Sequence, residues 1–196
     1  IVFWPTPDSF SGNFFHHIHF NVITENGIKL NPLILMIPQE DDIDPEIEEI
    51  FIVDSGKTKT LSTEDIGEDF HVVIKVSDFA DNNIWPNPPR FSNIEIMDSG
   101  NEVVFEHSGY DFIAMMGENI NEFVCDYYLC EIGETVFSKG NYSEREFYIV
   151  VTAFDKTGRK TDAIEKELFE IGEYLIKATS CDEVGNCGEK TLSINL

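Results

Sequence analysis

Apolar and polar residues alternate in short runs along most of the chain, and these runs predict β-strands. The three strongest span 70–78, 147–155 and 174–182, and each ends at an aspartate. They are rich in valine, isoleucine and aromatic residues, which favour a pleated surface. After the second and third aspartates a glycine follows three residues later, at Gly158 and Gly185, which is typical of a type I turn closed by a left-handed residue.

Weaker runs between these strands complete the pattern. Further strands are predicted over 47–53, 92–97, 102–106, 123–129, 165–171 and 190–195. A helical turn is the alternative over 163–169, because glutamate and lysine there favour helix. Gly and Asn separate the runs at short intervals, which is typical of a sandwich. Ile-x-Ala-x-x-x-Asp-x-x-Gly-Asn at 176–186 resembles the end of many bacterial immunoglobulin-like and fibronectin-like domains. The chain is therefore predicted to be all-β, with an immunoglobulin-like β-sandwich.

An aspartate at the end of a strand has two interpretations. Its carboxylate can accept hydrogen bonds from the next few backbone amides and so form the turn. The same oxygen atoms are also ligands that calcium prefers. We expect turn formation, and we keep calcium as an alternative cofactor.

Histidines near the start of the chain carry the main candidate chemistry. His17 and His19 are separated by one residue, so on a strand both imidazoles project from the same face. The stretch 14–23 has strand-forming composition, and Asn26-Gly27 favours a tight hairpin turn. Two imidazoles on one rigid face suit a metal site or acid/base chemistry.

His17-Ile18-His19-Phe20, a Gly-containing turn and Asn31-Pro32-Leu33 together resemble the closing hairpin of the lysostaphin/LytM-type zinc endopeptidases. That family cuts peptide cross-links in bacterial cell walls, and the resemblance covers 1–37. It implies that His19 is a zinc ligand and that His17 is catalytic. A zinc-bound water titrates near neutrality, and a second imidazole can polarise the developing oxyanion.

The family takes its other zinc ligands from a His-x-x-x-Asp segment upstream of His-x-His, and residues 1–16 contain no such segment. His107 and Asp111 have that spacing and form a second candidate pair of metal ligands. A pattern this short also arises by chance, and its neighbours predict ordinary strands. Whether the chain is itself an enzyme stays open, and zinc is expected only if the site is complete.

Composition divides the chain into three parts. Residues 1–38 are interpreted as the C-terminal portion of a lysostaphin-type peptidase domain. Residues 39–46, acidic and interrupted by a proline, are predicted to be a linker. Residues 47–196 are predicted to form the immunoglobulin-like β-sandwich region, in one or two units.

The formal net charge of −24 comes from 37 acidic and 13 basic residues. Such a surface repels the phosphate backbone, so nucleic acid is not an expected partner. No apolar run is long enough to predict a membrane span. The expected partners are peptidoglycan or an envelope protein, and the chain could serve as a subunit of a larger assembly.

Four cysteines form two close pairs along the sequence. Cys181 and Cys187 bracket a turn, so their thiols would face each other across the mouth of a hairpin. Cys125 and Cys130 are also close enough to bridge. Neither pair has Cys-x-x-Cys spacing. Disulfides persist in oxidising compartments, so the cysteines favour a periplasmic or extracellular location.

A polar, proline-rich loop follows the strand that ends at residue 78. It contains Phe79, Trp85 and Arg90, which form a candidate contact surface because long loops at the ends of sandwiches often bind partners. The alternative is that Trp85 only plugs one end of the sandwich.

These observations predict the accessory, C-terminal region of a cell-envelope peptidoglycan metalloendopeptidase that is not catalytic alone. The alternative is a non-catalytic β-sandwich that acts as a binding or structural subunit of an extracellular or periplasmic assembly.

Overall fold

A computed structural model shows a chain built almost entirely of antiparallel strands. It describes residues 4–5, 18–19, 22–26, 29–30, 41–79, 88–112, 126–127 and 147–196. The first four strands are short and form two separate ladders. They are β1 (Trp4–Pro5) paired with β2 (Ile18–His19), and β3 (Val22–Ile23) paired with β4 (Lys29–Leu30).

The remaining strands form two larger sheets. One has the order β5-β6-β9, where β5 is Glu46–Asp54, β6 is Phe70–Ser77 and β9 is Phe147–Val150. The other has the order β11-β10-β7-β8, where β7 is Phe91–Met97, β8 is Val103–Ser108, β10 is Glu173–Cys181 and β11 is Cys187–Asn195. The chain thus passes from one sheet to the other and back, as in immunoglobulin-like sandwiches.

One hydrophobic core joins the two sheets. Alternating positions of β7 are buried, as expected for a strand with one face turned inward, and Ile94 and Ile96 lie on that inner face. In β6 seven of eight residues are buried, because this central strand is covered on both faces. The core members Ile74, Ile149 and Ile176 come from three different strands of the two sheets.

The structure confirms the predicted all-β sandwich, and it corrects three strand assignments. The strand predicted over 147–155 ends at Val150 and continues as a 3₁₀ turn, Val151–Ala153. Over 165–171 the structure has a 3₁₀ turn, Lys166–Leu168, in agreement with the helical alternative. Residues 126–127, inside a predicted strand, are helical. The division into 1–38, 39–46 and 47–196 stays a prediction.

No helix among the described residues is long and apolar enough to cross a membrane.

Candidate functional site

The turn between β10 and β11 is organised by Asp182. Its side chain is only 2% exposed. Oδ1 accepts hydrogen bonds from the backbone amides of Val184, Gly185 and Asn186, at 2.9, 2.6 and 2.9 Å. Gly185 has a φ of 102°, which an L side chain rarely adopts, so the glycine allows the turn to close. The carboxylate therefore satisfies three backbone donors of the turn, in agreement with the predicted turn-forming role.

A single side-chain amide connects this turn to the segment that precedes β5. Asn186 Nδ2 donates to Oδ2 of Asp182 at 2.8 Å and to the backbone oxygen of Asp41 at 2.8 Å, with a longer contact of 3.3 Å to the oxygen of Ile43. We call residues 41–45 the lead-in segment. The segment also lies against Gly188 of β11, because the backbone oxygen of Pro45 occupies the space that a side chain at this position would need.

A disulfide closes the mouth of the same hairpin. Cys181 and Cys187 are directly paired across β10 and β11, and their sulfur atoms are bonded at 2.04 Å. The predicted bridge between these two residues is confirmed. Cys125 and Cys130 lie outside the described residues.

Asp155, which follows the 3₁₀ turn after β9, and Asp98, which follows β7, serve the same purpose as Asp182. Oδ1 of Asp155 accepts from the amide and hydroxyl of Thr157 and from the amide of Arg159. The hydrogen bond from Thr157 is the main reason that the pKa of Asp155 lies below its ordinary value. Oδ1 of Asp98 accepts from the amides of Gly100 and Glu102. These carboxylates are used to form turns.

Asp78, at the end of β6, is the exception. It is 4% exposed, and among the described residues its buried Oδ1 has no hydrogen-bond partner. The pKa of Asp78 is raised to about 7, first by burial and in addition by the negative charges of Asp182, Asp41 and Glu183. A carboxyl group in these surroundings holds its proton near neutrality because no donor or cation offsets the loss of water.

The residues that the structure describes form no metal site at the predicted histidine pair. His17 lies outside the described residues, and the backbone of His19 pairs with Trp4 in the β1–β2 ladder. His107 Nε2 is 3.0 Å from the backbone oxygen of Phe154. Within the described part of the chain, no group of three or more His, Cys, Asp or Glu side chains could hold a metal ion. The prediction of zinc, with calcium as the alternative, is therefore wrong. The catalytic role of His17 stays a prediction.

Two residues that the sequence assigned to different sites meet in the structure. Arg90, from the candidate contact loop, donates to both oxygen atoms of Asp111, from the candidate metal pair, at 2.9 and 3.0 Å. The Arg90 amide also donates to the Cys181 oxygen, so this pair braces the start of β7. Phe79 is half-buried, and Trp85 lies outside the described residues. The binding role of the loop stays a prediction.

Sequence reasoning missed a polar network on the opposite side of the core. His71 Nδ1 and Thr152 Oγ1 share a hydrogen bond of 2.8 Å, and burial lowers the pKa of His71 to about 4. The carboxylate oxygens of Asp126 form ion pairs with Nζ of Lys57 and Nζ of Lys160, at 2.6 and 2.7 Å. These partners are far apart in the sequence, so no local pattern could have indicated them.

A shallow cleft of about 430 Å³ lies where β10 begins and β11 ends. Its lining includes Glu64, Asp98, Glu173 and Tyr174. Asp98 is committed to its own turn, and the Tyr174 hydroxyl donates to the backbone oxygen of Glu170. Two of the polar side chains that line the cleft are therefore held by contacts with the chain itself.

Comparisons with known proteins give no family. No family model matches the sequence, and no curated protein matches it. Among solved structures, the chain is similar to CopC from Methylosinus trichosporium OB3b, with a TM-score of 0.27 and 16% sequence identity. The match covers 75% of this chain and 92% of that one. A likeness at this TM-score says nothing about activity or ligands.

The resemblance to lysostaphin/LytM-type endopeptidases is wrong, because none of these comparisons returns a zinc endopeptidase. A His-x-His strand followed by Asn-Pro-Leu is short, and strand-forming residues around two histidines occur without a shared ancestor.

Proposed function

We propose that this chain is a non-catalytic β-sandwich module that joins an extracellular or periplasmic assembly by binding a basic envelope protein. The observation that carries the proposal is the outer edge of β8. This strand ends the four-stranded sheet, and no described strand pairs with its other side. With respect to the described strands, its backbone groups are therefore available for pairing with a strand from a partner.

The side chains of β8 indicate the chemistry of that partner. Val103 and Val104 are each 49% exposed. Glu102 and Glu106 flank them and are also exposed. A partner strand with apolar and basic side chains would complement this edge, and the net charge of −24 would attract it over a longer range.

The disulfide supports the extracellular or periplasmic location in this proposal. A bridge between Cys181 and Cys187, with Cys187 exposed, persists only where the surroundings are oxidising. The non-catalytic part of the proposal is supported by the strand-end carboxylates Asp98, Asp155 and Asp182, which are occupied in turns.

A defined probe tests the proposal. The probe is a synthetic peptide of alternating valine and lysine, and backbone amide NMR shifts of the purified chain report where it binds. We expect shifts confined to β8 and its neighbour β7, weakened by added salt because the attraction is electrostatic. A peptide of alternating valine and glutamate is the control ligand, and it should produce no shifts.

Two matched variants sharpen the result. Val104→Lys should abolish binding because it places a positive charge on the edge. Ile171→Lys adds the same charge at a residue that is 93% exposed outside any strand, and it should preserve binding. Shifts that map elsewhere, or equal loss in both variants, would contradict the proposed edge. Cleavage of cross-linked wall fragments by the chain would contradict the non-catalytic assignment.

A further inference from the structure

Asp78 is buried at the end of the sandwich where the β10–β11 turn and the lead-in segment meet. Within the described ranges its Oδ1 has no hydrogen-bond partner, although Asp182 in the same region accepts three backbone amides through one oxygen. A buried polar atom without a partner destabilises the fold, most of all when it carries charge. The arrangement is therefore sensitive to the proton on Asp78.

The charged groups that act on Asp78 are all acidic in the described part of the chain. Asp182 and Glu183 belong to the β10–β11 turn, and Asp41 belongs to the lead-in segment. Arg90 interacts electrostatically with Glu183, but its guanidinium is held by Asp111. Ionisation of Asp78 therefore adds a negative charge to a group of negative charges at low solvent exposure.

The same residues hold the lead-in segment in place. Asn186 Nδ2 reaches Asp182 Oδ2 and the backbone oxygens of residues 41 and 43, so the turn and the segment share one donor group. Repulsion between Asp78, Asp182 and Asp41 acts directly on this connection. A shift of the turn or of the segment would separate the charges and admit water.

We propose that Asp78, Asp182 and Asn186 form a proton-dependent latch, which holds residues 41–45 against the β10–β11 turn while Asp78 is protonated and releases them when it ionises. This inference does not depend on the proposed binding function, because it concerns the end of β6, the β10–β11 turn and residues 41–45, and not the edge of β8.

The direction of the pH effect follows from linkage. The pKa of Asp78 is about 7 in the folded chain, above its ordinary value of 3.8. Between these two pKa values the folded state therefore binds more protons than the unfolded state. The stability that the proton on Asp78 provides is complete below the lower pKa and is lost as pH rises to the upper pKa. Above the upper value the effect is constant.

The first experiment compares the wild-type chain with Asp78→Asn, which mimics the protonated side chain. The full chain is denatured with urea in EDTA from about pH 5 to about pH 7.5, where linkage predicts a roughly 50-fold rise in the wild-type unfolding constant relative to the variant. Because the net charge of −24 also weakens the fold as pH rises, the difference between the two chains is the measured quantity. Asp155→Asn removes the same charge from a strand-end aspartate that forms a turn, and it should keep the wild-type pH dependence.

The second experiment measures the latch itself. Hydrogen exchange of a peptide covering 41–47, normalised to an unstructured reference at each pH, should accelerate about tenfold per pH unit below the titration midpoint of Asp78 in the wild-type chain, as one linked proton predicts. In Asp78→Asn the exchange should stay slow, and in Asn186→Ala it should be fast at both ends of the range.

Two results would overturn the latch. One is an ordinary acidic midpoint for the Asp78 carboxyl group when its titration in the wild-type chain is monitored by ¹³C NMR. This measurement needs no variant. The other is an exchange rate for 41–47 that is unchanged while Asp78 titrates, which would leave a buried acid with no effect on the lead-in segment.

Discussion

Asp78 follows β6 in one sheet and Asp182 follows β10 in the other, and both are nearly inaccessible, at 4% and 2% exposed. Asp182 is surrounded by backbone donors, whereas Oδ1 of Asp78 meets none in the part of the chain that the structure describes. The pKa of Asp78 rises to about 7 because burial is not compensated. Depth of burial alone therefore does not determine what a carboxyl group contributes; the donors around it do.

Removing the Asp182 carboxylate should have the largest effect on this end of the sandwich. Asp182→Ala leaves three backbone amides without an acceptor and frees Asn186, so we expect a loss of about 3 kcal/mol in the free energy of unfolding. Urea denaturation at neutral pH measures it. Asp155→Ala is the matched control in a more exposed turn and should cost less, and equal losses would show that burial of the turn is unimportant.

Moving the lead-in segment should have the next largest effect. In Gly188→Ala the new methyl group would collide with the backbone oxygen of Pro45, which cannot rotate away as a side chain could. We expect a loss of roughly 2 to 3 kcal/mol, by comparison with other overpacked sites. Gly67→Ala is the control, because nothing lies within 4 Å of its added methyl group. Thermal melts of both variants give the comparison.

The disulfide should contribute slightly less. The double substitution Cys181→Ser and Cys187→Ser opens a short loop, and we expect a loss of about 2 kcal/mol from the restored freedom of the unfolded chain. The Asp182 hydrogen bonds remain, so the turn should still form. Amide exchange at Gly185 and Asn186 checks this, and complete loss of protection there would show that the bridge, not the carboxylate, organises the turn.

The smallest effect concerns the coupling between the two aspartates. Asp182→Asn keeps an acceptor oxygen but removes one negative charge near Asp78, so the pKa of Asp78 should fall towards its ordinary value. The fall should be partial, because burial is the largest cause of the shift. A titration of the Asp78 carboxyl group followed by ¹³C NMR measures the fall. An unchanged midpoint would show that the charge of Asp182 does not act on Asp78.

Much of the fold could be predicted because its signals are local. Alternation of apolar residues indicated β6, β7, β10 and β11, and a residue faces one side or the other of a strand according to its position in the alternation. The Asp-x-x-Gly spacing indicated the turns at Asp155 and Asp182, where Gly158 and Gly185 have positive φ values. The 3₁₀ turn at Val151–Ala153 was missed because its composition is that of a strand.

The candidate site was predicted poorly because its signals are not local. The histidine motif suggested a family that the comparisons do not support, and His107 contacts the backbone of Phe154 far along the chain. Arg90 and Asp111 were assigned to separate sites, although they form one ion pair. Asp78 lacks the glycine that follows Asp155 and Asp182 three residues later, but this difference in sequence does not indicate that its carboxyl group is buried.

The sequence by itself determined the all-β class, the Asp182 turn and the Cys181–Cys187 bridge. Each depends on residues within one strand or one hairpin, whose geometry is fixed by backbone sterics and side-chain alternation. Only the tertiary structure decided that Asp78 would be buried beside Asp41, Asp182 and Glu183. That outcome depends on which strand ends meet in space, and the charge state of a carboxyl group follows from the donors and water that it meets there.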